Sequence, residues 1–75
     1  MSRKEELVRA ISAVEEEIKD LEQKRLRSQS SIIEAFVDKT EPNPRDAEYF
    51  KTLSSLIRLQ REKLQMLSDE LKLLD

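Results

Sequence analysis

Five carboxylates crowd one stretch of this chain, Glu15, Glu16, Glu17, Asp20 and Glu22. Carboxylates hold divalent metals and move protons, so the run is the first place to look for chemistry. On a helix, however, adjacent residues point about 100° apart, and Glu15, Glu16 and Glu17 cannot converge on one ion. A di-iron site of the helical-bundle type also calls for Glu-x-x-His, and the chain contains no histidine. The run therefore reads as a solvated helix face, partly neutralised by Glu15 with Lys19 and Asp20 with Lys24 at the i,i+4 spacing. Cysteine is absent as well. That removes Ser-His-Asp and Cys-His nucleophiles, Cys/His zinc sites, haem ligation and disulfides together. The expectation is no enzyme, no catalytic residue, no metal and no cofactor.

The second constellation is basic. Lys24, Arg25 and Arg27 lie in the first half, Arg58 and Arg61 in the second, and a fold that joins the halves would give a positive girdle at mid-molecule. Lys24, Arg27, Arg58 and Arg61 could then dock an acidic protein segment, or read RNA in a dimer. Against nucleic acid stand a formal charge of −2, from 14 basic and 16 acidic residues, and Glu22 and Glu62 interleaved with the bases. A protein partner is the expectation.

What positions these groups must be helical. The chain has 75 residues, 40% charged and 37% hydrophobic, with two prolines and no glycine, a balance that suits long water-exposed helices. A chain this short hides little surface, so it should lean on a partner chain. No apolar run approaches the roughly 20 residues that cross a bilayer. The charged start Met1-Ser2-Arg3-Lys4-Glu5-Glu6 lacks the apolar stretch of a signal peptide, which makes the cytoplasm the expected compartment and leaves no role for a membrane.

Ser2 followed by Glu5 is a capping box and starts a helix at about Arg3. Leu7, Ile11, Val14, Ile18 and Leu21 then recur at steps of four and three, the spacing of one helical stripe, and the register continues through Arg25, Ser28, Ile32 and Ala35. No breaker interrupts until Lys39-Thr40-Glu41-Pro42-Asn43-Pro44, where the prolines disfavour helix and force a turn. Asn43 is a good N-cap and Pro44 a good first helical residue. The second helix carries Phe50, Leu53, Ile57, Gln60, Leu64, Leu67, Leu71 and Leu74 in the same rhythm. The reading is all-α: one antiparallel, coiled-coil-like two-helix hairpin over 1–75, with helix 1 near 3–38, a turn over 39–43 and helix 2 near 44–74.

A turn centred near Glu41 sets Leu7 against Leu74, Ile11 against Leu71, Val14 against Leu67, Ile18 against Leu64 and Ile32 against Phe50. The lapses Arg25, Ser28 and Gln60 would then share a polar layer at mid-hairpin. Phe36, Tyr49 and Phe50 flank the turn and should plug its closed end, with Tyr49 also able to reach outward. Helix 2 carries a second stripe one position out of phase, Tyr49, Leu56, Leu59, Met66 and Leu73. Two stripes about 100° apart are wider than one partner helix can cover. These five residues are the candidate partner-binding surface, for a different protein or for a second copy.

The size, the lack of Gly, Cys and Trp, and Arg45-Asp46-Ala47-Glu48-Tyr49-Phe50 opening a long Leu/Ile-rich helix together resemble the small co-chaperones of bacterial type III secretion systems. The resemblance covers most of the chain in architecture and a few residues in motif. Lys63 to Leu74 is more charged and leucine-rich than that group's pattern. The resemblance implies a virulence-associated cytoplasmic chaperone that joins a larger chaperone subunit and keeps a needle subunit soluble. The same features would serve a coiled-coil adaptor or a self-associating four-helix-bundle subunit.

Overall fold

The computed structural model describes residues 2–74 and contains two helices, α1 (Arg3–Val37, 35 residues) and α2 (Pro44–Leu73, 30 residues), with no strand among the described residues. They pack antiparallel as a rod of 55 × 15 × 14 Å, an all-α hairpin of the kind the periodicity predicts. Each helix begins where its capping residues place it. Ser2 Oγ accepts the Glu5 N–H at 3.2 Å, and Asn43 Oδ1 accepts the Arg45 N–H at 2.9 Å with Pro44 in the first helical position.

The end of α1 is more specialised than its sequence suggests. Thr40 N–H donates to Ala35 O at 2.9 Å and Lys39 N–H to Phe36 O at 3.1 Å, the paired bonds of a Schellman motif. The motif needs a left-handed residue after the cap, and Lys39 takes it with φ 59°. Glycine is the usual residue there because it has no Cβ to collide with the carbonyl, and this chain has none to place.

The inner stripes meet as the four-three rhythm dictates. Leu7, Val14, Ile18, Leu53 and Ile57 are buried, and Ile11, Leu21, Ile32, Phe50, Leu64, Leu67 and Leu71 are half-buried beside them. So thin a core follows from two helices meeting along one seam, where each side chain has cover on one side only.

The register differs from the expected one. A turn centred on Glu41 would set Ser28 beside Ser54. Instead Ser28 Oγ donates to Asp46 O at 3.2 Å, and at the other end Arg3 bonds Glu70 at 2.6 Å. The cause is the connection. The Schellman turn sends the chain back along α1, and Pro42 is half-buried on the way, so α2 starts opposite a point well inside α1. Leu74 consequently comes level with the start of α1 and stays 48% exposed. The shared polar layer also fails to form. Ser28 is buried near the start of α2, whereas Gln60 sits at the level of Glu17, to which its Nε2 donates at 3.4 Å. Phe36 does not plug the turn: the overhang of α1 leaves it 67% exposed, while Phe50 is half-buried.

Candidate protein-docking surface

In an antiparallel helix pair, residues one position before the inner stripe share one flank of the seam, and residues one position after it share the other. Tyr49, Leu56, Leu59, Met66 and Leu73 each precede an inner residue of α2, so they line one flank together. Their exposures run from 40% at Leu56 to 85% at Leu73. On α1 the same flank carries Glu6, Ala10, Ala13, Glu17, Asp20, Lys24, Arg27 and Ser31. The small Ala10 and Ala13 leave the apolar stripe standing proud of its surroundings. Nearer the turn, Tyr49 borders an open depression with Lys24, Arg27, Ser28, Ser31 and Asp46.

The basic residues do not form one girdle. Lys24 and Arg27 precede Arg25 and Ser28 and fall on the Tyr49 flank, whereas Arg58 and Arg61 follow Ile57 and Gln60 and fall on the opposite one. Two of the four are also neutralised in place. Arg61 bridges Glu22 across the seam at 2.8 Å, and Lys24 pairs with Asp20 at 3.1 Å. The second expected pair on the acidic face, Glu15 with Lys19, does not close. Arg3 binds both Glu70 and Glu6, and the hydrogen bonds it donates to Glu70 hold its proton more tightly than usual.

The second flank holds an apolar group outside the candidate stripe. Leu26, Ile33, Phe36 and Val37 are all more than half exposed near the turn. In the sequence they form a second line on helix 1, one or two positions after Arg25, Ile32 and Ala35 of its inner stripe.

Among the described residues no cluster of three or more His, Cys, Asp or Glu side chains could hold a metal. The depressions along the rod are open grooves between helix ridges. No helix is long and apolar enough to cross a membrane among the described residues. No family model, curated protein or solved structure matches the chain.

Proposed function

We propose that this hairpin is a non-enzymatic protein-binding module whose docking surface is the outer face of α2: Tyr49, Leu56, Leu59, Met66 and Leu73. The observation that carries the reading is their exposure in one line on a molecule whose described residues include only five buried apolar side chains. Each large apolar residue left in water forgoes roughly 1.5–3 kcal/mol of burial, a sum comparable to the whole stability of so small a core. A chain that covers the stripe therefore stabilises the fold as it binds.

The co-chaperone resemblance gives this module a concrete task, that of a cytoplasmic subunit which, with a second chaperone subunit, keeps a secretion needle protein from polymerising early. The physics supports the task in outline, because a marginal hairpin with a spare apolar face gains from lasting cover. Purifying the tagged protein from its host and identifying what remains bound tests it. A needle subunit and a second chaperone are the expected companions, and a constant companion from another assembly would make the hairpin an adaptor instead. In either case, replacing Leu56 and Leu59 by glutamate should release the bound protein, since two charges would be buried against an apolar surface.

A further inference from the structure

The charges beside the docking stripe are unevenly placed. On α2 the bases Lys51, Arg58, Arg61 and Lys72 follow inner residues and stand on the opposite flank, where α2 carries no acid. Its acids lie along the stripe. Glu70 stands within it, and Glu48, Glu62 and Asp69 belong, with Ser55, to the exposed outermost row of α2 that forms its rim. Across the seam α1 adds Arg3, Glu6, Glu17, Asp20, Lys24 and Arg27 to the same face.

Towards the turn these groups cancel. Lys24, Arg27 and Arg45 stand against Asp20, Glu48 and the Asp46 that borders the Tyr49 depression. From Leu59 to the free end they do not: Arg3 and Lys63 stand against Glu6, Glu17, Glu62, Asp69 and Glu70, three negative charges in excess. Arg9 and Glu16, a row farther round α1, cancel. Lys4 lines a depression with Glu5 and Val8 on the other flank, and Glu34 lies on the overhang past the end of the stripe. Arg3 is held between Glu6 and Glu70, and among the described residues no ion pair joins Glu62 or Asp69 to a base. The same stretch has room for a helix. Ala10 and Ala13 lie between the levels of the Arg3–Glu70 and Glu17–Gln60 contacts, so small side chains border the stripe from Gln60 to Glu70 and leave a trough. A helix suits a trough of this kind because its own backbone groups are paired and its apolar residues repeat the same three-and-four spacing. From Leu59 to Leu73 the rise is about 21 Å, roughly four turns of such a helix.

We infer that the occupant of the stripe is a basic amphipathic helix, with apolar residues on Leu56, Leu59, Met66 and Leu73 and with lysines or arginines along its edges against Glu17, Glu62, Asp69 and Glu70. The inference rests on the reading of this face as the docking surface and names the chemistry of what docks there. An acidic or neutral helix would exclude water from that end of the stripe without compensating its charge, which costs affinity.

Two synthetic helical peptides of about 18 residues, sharing one leucine stripe and carrying either lysine or glutamate beside it, test this by fluorescence titration of the unmodified chain. At about 50 mM salt the basic peptide should bind roughly tenfold more tightly than the acidic one, and the gap should narrow at about 500 mM. Glu62→Lys with Asp69→Lys should abolish the preference. Glu15→Lys with Glu41→Lys, the same change of charge on the other flank and in the loop, should keep most of it. Equal affinity for the two peptides overturns the inference, and so does a preference that both paired variants lower alike, since that reports net charge and not the rim of the stripe. A chain that sediments as a dimer and admits neither peptide has a second copy as its occupant, which overturns the inference alone. The docking reading fails by a different result: a monomer that binds neither peptide, or one whose Leu59→Ser with Met66→Ser variant holds the basic peptide as tightly as the unmodified chain does.

Discussion

Two side chains sit where their chemistry opposes the fold. Lys39 holds the left-handed position of the Schellman turn at φ 59°, which disfavours any residue with a Cβ. Lys39→Gly should stabilise the hairpin by about 1 kcal/mol and raise Tm by roughly 4–8 °C in a thermal melt. Gln60 places its Oε1 out of water with no hydrogen-bond partner and gives its Nε2 only a long bond to Glu17. Gln60→Leu removes the unpaired acceptor from an otherwise apolar stripe, so urea denaturation should show a gain of about 1 kcal/mol. Neither cost is legible in sequence. A lysine before a proline-rich turn carries no mark of its dihedral, and a glutamine at an inner position is an ordinary polar lapse until its neighbours are known.

The two helices, in contrast, were largely legible. Ser2, Asn43 and Pro44 cap them as their residue types dictate, and the alternating steps of four and three pick out the buried line of each. What the periodicity cannot carry is the offset between the lines, because sliding one stripe along another by a heptad preserves the pattern. The offset is set by the Schellman turn and the returning loop, and from it follow the exposure of Leu74 and Phe36 and the separation of Ser28 from Gln60. A core of one seam also makes each helix depend on few side chains. Ile57 is among the two most deeply buried residues, and Ile57→Ala should cost about 2–4 kcal/mol, enough to leave the isolated chain substantially unfolded by circular dichroism at 37 °C.

At the scale of the whole molecule the seam is used up and the surplus lies on its flanks. One flank carries the stripe Tyr49, Leu56, Leu59, Met66 and Leu73, interrupted by Thr52, Lys63 and Glu70, and the other a shorter group, Leu26, Ile33, Phe36 and Val37, towards the turn. The stripe was visible in the sequence as a second line of apolar residues on helix 2. The short group was visible only as a line of apolar residues beside the helix 1 stripe, because its exposure depends on how far α1 overhangs α2. The division of the basic residues between the flanks follows from spacing once the pairing is antiparallel, because Lys24 and Arg27 precede inner residues whereas Arg58 and Arg61 follow them. The central claim is that the stripe, and not the short group, docks another chain. The direct measurement compares Leu56→Glu/Leu59→Glu with Leu26→Glu/Ile33→Glu, each assayed by circular dichroism for helix content and by pull-down for the bound protein. The account predicts that both variants remain mostly helical, because the inner stripe is untouched, and that the first alone loses its partner. Retained binding by the first variant, with loss in the second, would contradict it and move the docking surface to the turn end of α1.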